Sequence, residues 1–313
     1  MVVNVNPFFV TGRIPAAYFC DRVVESKVLS QALLSQMNVV VTSPRRMGKT
    51  ALVDFVFQQE VIQKDYFTID VDILHTTCFK EFIYALGTAA YDKIASRSDK
   101  MKRLFIATLR SLSASFGYDP IQNTPTFDIK LGDITTPDYT LREIFNFMEQ
   151  ADKRCLVVID EFQQITKYPE KNIEAVLRSY IQKMSNANFV FAGSQRTVLE
   201  EMFLSSRRPF FQSAKLMQLD AIELSVYQDF VVGHFREGGK DINPEAVEVA
   251  YRSFRGVTLY MQRVMKDAYA TTPQGATCDE RLVEQLIDDF VAENDYRIRG
   301  LLAYISEPQK EVL

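Results

Sequence analysis

Lys49 and Thr50 close the run Val39-Val40-Val41-Thr42-Ser43-Pro44-Arg45-Arg46-Met47-Gly48-Lys49-Thr50, whose residue types and spacing could cradle a phosphate. A lysine is a flexible point charge that reaches phosphate oxygens, a threonine hydroxyl can ligate a divalent cation, and a glycine lets backbone N–H groups come close to an anion. The run meets the template G-x-x-x-x-G-K-[ST] except at Ser43, which stands where the first glycine is expected. A Cβ held at positive φ would cost about 1–2 kcal/mol, so Ser43 is expected to keep negative φ. Pro44 has no N–H, and the cradle is therefore expected from the amides of Arg45, Arg46, Met47, Gly48, Lys49 and Thr50, at the start of the following helix. Alone, Gly-Lys-Thr could be a chance triplet in a surface turn. The buried-strand run at 39–42 before it and the apolar stretch at 51–57 after it argue instead for a nucleoside-triphosphate loop between a strand and a buried helix.

Further along, Leu156-Val157-Val158-Ile159 runs into Asp160-Glu161. An aspartate at the carboxyl end of a buried strand can hold a Mg²⁺ shell together with Thr50, and the adjacent glutamate can polarise an attacking water. A buried strand ending in a solvated acidic turn is also common, but the two motifs in one chain favour the functional reading. A carboxylate directly after the metal aspartate favours hydrolysis over transfer to a small-molecule acceptor. Lys49 and Glu161 are thus the expected catalytic residues, Thr50 and Asp160 the metal ligands.

The elements that must position these groups alternate as α and β, which predicts a doubly wound parallel sheet flanked by helices. Helices are predicted at 21–35, after the loop, and at 80–96, 101–113, 140–151 and 172–184; strands at 39–42, 66–71, 156–159, 188–192 and 216–219; and a hairpin insertion near 116–131. Residues 1–20 have the composition of an ordered arm. Beyond 222 the pattern is helical, with Asn243-Pro244 as N-cap and first helical residue, and Thr277 with Glu280 as a capping box. A further capping box at Ser306-Glu307-Pro308-Gln309 opens a helix that meets the end of the chain at Leu313. The expected division is a core at 1–222, a helical unit at 223–305, and the start of a truncated C-terminal domain at 306–313.

At 313 residues the length suits about two domains. The 36 basic and 40 acidic residues leave a net charge of −4, with no global basic footprint for nucleic acid. Cys20, Cys78, Cys155 and Cys278 are scattered and only His75 and His234 accompany them, which disfavours a zinc site and suits reduced thiols. No apolar run reaches membrane-spanning length and Met1–Val10 lacks a basic segment. A cytoplasmic location without membrane attachment is expected.

Several segments together resemble the small prokaryotic STAND-type AAA+ ATPases, the archaeal-type ATPase family. Phe19-Cys20-Asp21-Arg22-x-x-Glu25 is similar to that family's Phe-x-Gly-Arg-Glu-x-Glu before the first helix, with Cys20 and Asp21 replacing the usual residues. Ser43 to Thr50 resembles its Gly-Pro-Arg-Arg-x-Gly-Lys-Thr loop, Ile159-Asp160-Glu161-Phe162-Gln163-Gln164-Ile165 its Walker B segment, and Gly193-Ser194-Gln195 its sensor 1. The resemblance implies a P-loop fold of AAA+ (ASCE) type with strand order 5-1-4-3-2, a helical lid, and in many members a C-terminal winged helix beginning about where this chain stops. It implies ATP and Mg²⁺ as cofactors, nucleotide contacts at Asp21 and Arg22, and a water-placing role for Ser194 or Gln195. Family members carry Gly-x-Pro in the lid near the adenine; Gly256-Val257-Thr258 lacks the proline, and Gly256 is equally read as a helix C-cap. Arg207-Arg208 ahead of Pro209-Phe210-Phe211 could supply an arginine finger to a neighbouring subunit or be solvated loop charges, and Arg45 and Arg46 share that ambiguity. The expected activity is a Mg²⁺-dependent ATPase switch acting through lid closure, self-association or a protein effector. The alternative is a low-turnover adaptor or DNA-associated scaffold that recruits its partner through a C-terminal region.

Overall fold

The computed structural model describes residues 5–20, 22–119, 124–127 and 129–302. The chain divides into two compact units, one made of Val23–Arg45 with Lys49–Asp220 and the other of Met1–Arg22 with Arg46–Gly48 and Ala221–Leu313.

The larger unit begins with α1 (Val23–Leu34), β1 (Val39–Thr42), α2 (Lys49–Phe57), α3 (Glu60–Asp65) and β2 (Tyr66–Asp72). It continues through α4 (Phe79–Lys93), α5 (Asp99–Thr108), the strands β3 (Phe116–Asp119) and β4 (Thr124–Phe127), α6 (Pro137–Glu149) and β5 (Arg154–Asp160). After β5 come α7 (Ile173–Ile181), β6 (Ala187–Gly193), α8 (Arg196–Leu204) and β7 (Lys215–Gln218). Five strands pair in the order β2-β5-β6-β1-β7, all parallel. Counting the sheet strands alone, this is the expected 5-1-4-3-2 order. β1 and β6 are buried at every position, as helices on both faces of a parallel sheet require. The β-branched and aromatic runs Val39-Val40-Val41 and Phe189-Val190-Phe191 meet that demand. The expected insertion is an antiparallel pair, β3 on β4, with Phe116 opposite Phe127.

Behind the carboxyl ends of β5 and β6, Phe162, Phe191, Phe203 and Phe210 are all essentially fully buried and pack at 4.6–6.1 Å between ring centres. Each such side chain contributes about 1.5–3 kcal/mol through burial. Phe210 thus serves as a core anchor for the loop that carries Arg207 and Arg208.

The smaller unit holds α9 (Leu224–Glu237), β8 (Asp241–Ile242), α10 (Pro244–Ser253), α11 (Thr258–Thr271), β9 (Thr277–Cys278) and α12 (Glu280–Leu302). The arm belongs to it: Phe8 is buried among Phe230, Phe235 and Tyr269, and the Asn6 amide donates to the Lys266 carbonyl at 2.8 Å. One expected cap is not made, and another is made without its side-chain bond. Thr277 pairs in β9 with Asp241 in β8, so α12 is capped instead by Asp279, whose Oδ1 accepts from the Leu282 N–H at 3.0 Å. Asn243 and Pro244 stand at the N-cap and first turn of α10 as expected, but the Asn243 side chain donates to Glu280 Oε2 at 3.1 Å and makes no cap bond. Two helices, α3 and α8, lie where the sequence pattern predicts no element. The expected capping box at 306–309 lies outside the described residues.

Candidate active site

Thr42 ends β1, and the chain leaves the sheet through buried Ser43, whose hydroxyl donates to the Pro44 carbonyl at 3.0 Å. Ser43 keeps negative φ as expected; the left-handed positions of this loop are Arg46 (φ 70°) and Gly48 (φ 84°). The turn that a glycine would make at position 43 is therefore displaced to Arg46, a side-chain-bearing residue for which that backbone is strained. Two bonds fasten the strained stretch. The Arg46 carbonyl accepts from the Leu259 N–H at 3.1 Å, and buried Arg22 donates to the Met47 carbonyl at 3.0 Å. The Arg46 guanidinium lies over the Tyr260 ring at 5.0 Å and donates to its hydroxyl. Because α2 begins at Lys49, the N–H groups of its first turn have no partner within the helix and form an anion site with a favourable dipole.

The second half of the site stands at the carboxyl end of β5. The Lys49 side chain is only 8 % exposed, and its Nζ lies 3.0 Å from Asp160 Oδ1 and 3.8 Å from Glu161 Oε1. Thr50 Oγ1 donates to Asp160 Oδ2 at 3.0 Å, and the Glu161 N–H donates to Asp160 Oδ1 at 2.9 Å. Two oxygens in adjacent positions of a Mg²⁺ octahedron, each about 2.0–2.1 Å from the ion, would be roughly 3 Å apart. The Thr50 and Asp160 oxygens fit that requirement. No group of three or more His, Cys, Asp or Glu residues among the described residues could hold a metal.

Glu161 is held in the left-handed region (φ 56°, ψ 38°), where the strand breaks into a 3-10 turn at Phe162–Lys167. That strain swings its carboxylate toward β6. Oε2 accepts from Ser194 Oγ at 2.9 Å, from the Ser194 N–H at 3.4 Å and from Gln163 Nε2 at 2.5 Å. Arg45 Nε donates to Ser194 Oγ at 3.3 Å. A carboxylate with one oxygen pinned by donors and the other near a lysine can act as a base for water, and an exposed hydroxyl beside a carboxylate can bind a cation.

Other candidates stand apart. Of the pair at the end of β6, Ser194 meets Glu161, whereas Gln195 is exposed at the start of α8, its carbonyl accepting from the Leu199 N–H at 3.1 Å. Arg207 is exposed. Arg208 pairs with Glu174 Oε1 at 2.6 Å and more loosely with Glu201 at 3.7 Å, so it is no simple solvated charge. Burial pushes the Glu174 carboxyl above its ordinary range, and Arg208 works against that rise. Gly256 (φ 74°) closes α10, its N–H donating to the Tyr251 carbonyl at 3.0 Å, and a Cβ there would sit 2.6 Å from that of Ala221. Asp21 lies outside the described residues. Gln163 lies in the segment that resembles a Walker B motif, but the resemblance implies no role for it there, and Leu259 and Tyr260 are marked by no motif.

A family profile described as an ATPase domain predominantly from Archaea matches residues 19–264. No curated protein sequence matches the chain. Among solved structures, a Walker-type ATPase of Pyrococcus abyssi is 14 % identical with a TM-score of 0.65, over 95 % of this chain and 79 % of that one. The ORC2 protein of Aeropyrum pernix, in ADPNP–ADP complexes, is 15 % identical with a TM-score of 0.57, over 91 % of this chain and 71 % of its own. The ORC1 protein of the same organism, in complex with DNA, is 12 % identical with a TM-score of 0.54, over 87 % and 66 %. At these identities the likeness concerns the fold. No helix among the described residues is long and apolar enough to cross a membrane.

Proposed function

Since the chain belongs to the family of ATPase domains found predominantly in Archaea and is an ATP-hydrolysing P-loop enzyme, we propose that it works as a Mg²⁺-dependent cytoplasmic switch of STAND type. Its nucleotide state would be coupled to closure of the helical lid, to self-association or to binding of a protein effector. The observation that carries the hydrolytic half is Glu161, a strained carboxylate directly after Asp160 with one oxygen 3.8 Å from Lys49 Nζ. In this reading Lys49 neutralises the β- and γ-phosphates while the amides from Arg45 to Thr50 hold them. Thr50 and Asp160 would hold Mg²⁺, which supplies charge neutralisation along the phosphates. Glu161 polarises the attacking water, Ser194 orients Glu161, and Arg22 fixes the loop through the Met47 carbonyl. Arg207, exposed on its loop, is the better of the two arginines for a neighbour's phosphate, because Arg208 is committed to Glu174. The adenine contact of Gly256 remains part of the proposal, beside its role in ending α10.

Glu161→Gln tests this directly. It keeps the side chain's size and leaves Asp160 and Thr50 intact, so ATP binding should persist while phosphate release falls by about 10²- to 10⁴-fold, the usual weight of a positioned general base. Release at the wild-type rate would return residues 156–161 to an ordinary strand with an acidic turn. A second reading, a low-turnover DNA-associated scaffold, draws on the fold it shares with the ORC1 protein solved in complex with DNA. Steady-state phosphate release from the wild-type protein, with and without duplex DNA, separates the two.

A further inference from the structure

Gln163 is 2 % exposed, two residues beyond the glutamate and second in the 3-10 segment. Its amide nitrogen faces Glu161 Oε2 at 2.5 Å. The orientation of that amide follows from chemistry, since a carboxylate oxygen only accepts and the nitrogen must be the end that meets it. Its other end, Oε1, is buried with no hydrogen-bond partner among the described residues. Burying a carbonyl oxygen unpaired is unfavourable, and an apolar side chain of the same length would avoid it. A buried amide kept under those terms against a single carboxylate calls for a reason beyond packing.

The neighbouring residues are arranged around this amide. A Cβ on Gly193 would fall 2.0 Å from Gln163 Oε1 and 2.6 Å from Leu199 Cδ1, so the last residue of β6 has to be a glycine for Gln163 to lie where it does. The Gln163 carbonyl accepts from Thr166 Oγ1 at 2.8 Å, and the preceding Phe162 ring is fixed in the four-phenylalanine cluster. Both the backbone and the amide of Gln163 are thus immobilised. We infer that Gln163 is a positioning residue for hydrolysis: with Ser194 it pins Oε2 of Glu161 and leaves Oε1, the oxygen on the Lys49 side, as the one that takes the proton from water. Held by Ser194 alone, the carboxylate is freer to rotate about its last torsion and present either oxygen or neither. Gly193 belongs to the same device, because it makes room for the amide.

This inference rests on the reading of Glu161 as the base. Gln163→Met keeps length and burial and removes the donor together with the unpaired carbonyl oxygen. It should lower kcat about 10- to 100-fold, as a small misplacement of a reacting group does, with KM for ATP unchanged within about twofold and the melting temperature unchanged or raised. Placed in the Glu161→Gln protein, the same substitution should have no further effect on residual turnover, since the carboxylate it positions is gone. Gly193→Ala, which presses on the amide from β6, should show the same split between kcat and KM. The inference is overturned if Gln163→Met turns over at the wild-type rate, or if it lowers turnover equally in the wild-type and Glu161→Gln backgrounds. Should Gln163→Met fold poorly, a wild-type kcat in Gly193→Ala would overturn it equally. Slow Glu161→Gln with fast Gln163→Met removes the inference alone; fast Glu161→Gln removes the reading beneath it.

Discussion

Two of the close ion pairs within the sheet unit, Lys49 with Asp160 at 3.0 Å and Arg208 with Glu174 at 2.6 Å, bring together partly buried partners. By distance alone the arginine pair is the tighter, and its planar guanidinium is the better partner for a carboxylate. The surroundings separate them. Around Asp160 the chain gathers an exposed Thr50 hydroxyl, unpaired amides at the head of α2 and a strained Glu161. Glu174 also stands in the first turn of a helix, α7, behind a left-handed residue, Asn172 (φ 66°), but no hydroxyl bonds to it among the described residues, where its Oε2 and Arg208 Nε have no partner. A short pair of charges therefore does not mark a reaction centre. What marks one is a pair whose partners can be exchanged for a ligand's groups.

The strongest way to break this comparison is nucleotide-dependent stability. With Mg²⁺ and ATP at about 100 times Kd, linkage contributes about 2.7 kcal/mol, or roughly 5–10 °C in melting temperature for a domain of this size. Lys49→Ala should abolish that shift, and Arg208→Ala should retain it in full. An equal loss in both would join the two pairs in one site.

A smaller effect sharpens the structural half. Arg208→Ala leaves the Glu174 carboxylate buried without its partner and should lower unliganded stability by about 1–3 kcal/mol, read as a fall in urea midpoint. The smallest effect is its pH dependence. The folded-state pKa of Glu174 is raised from the ordinary value of 4.5 by burial, with Arg208 opposing. A group so raised contributes stability that is fully present below the unfolded value and lost as pH rises through the folded one. Removing Arg208 leaves the burial unopposed, so the deficit of Arg208→Ala should be greatest near neutrality and shrink as pH falls toward 4.5. A deficit that is flat with pH would place its cause in lost packing.

Much of the fold was legible because its signals are local. Val39-Val40-Val41 and Leu156-Val157-Val158-Ile159 announce fully buried strands, and the chemistry of Lys49, Thr50, Asp160 and Glu161 sits at the ends of those runs. What escaped depends on contacts between distant segments. The capping role expected of Thr277 was lost to strand pairing with Asp241, and Asn243 turned to Glu280, because a two-residue sheet joins segments far apart in sequence. Arg208 reads as a loop charge until Glu174 is found beside it. Ser194 rather than Gln195 meets the carboxylate, because the chain leaves β6 at Gly193 and Gln195 already caps α8. Gln163 was in view within the Walker B segment but its role was not, since its aim follows from the left-handed backbone of Glu161 two residues earlier.

The place of β1 in the sheet has a temporal consequence. The strand that carries the phosphate loop lies between β6 and β7, and Val39 faces Val190 on one side and Lys215 on the other, 176 positions later in the chain. At a synthesis rate of about 5–20 residues per second, the second partner leaves the ribosome on the order of 10–35 s after the strand itself. Until β6 follows, and on the far side until β7 does, Val39, Val40 and Val41 are an apolar edge without a permanent neighbour, the kind of segment that associates wrongly in a nascent chain. ATP gives no help during this wait, because a ligand stabilises only the state that binds it and the loop is not fixed until the sheet closes around its strand. The nucleotide site is thus among the last parts of the core to form, and the cell's ATP can hold the finished enzyme together but cannot template its making.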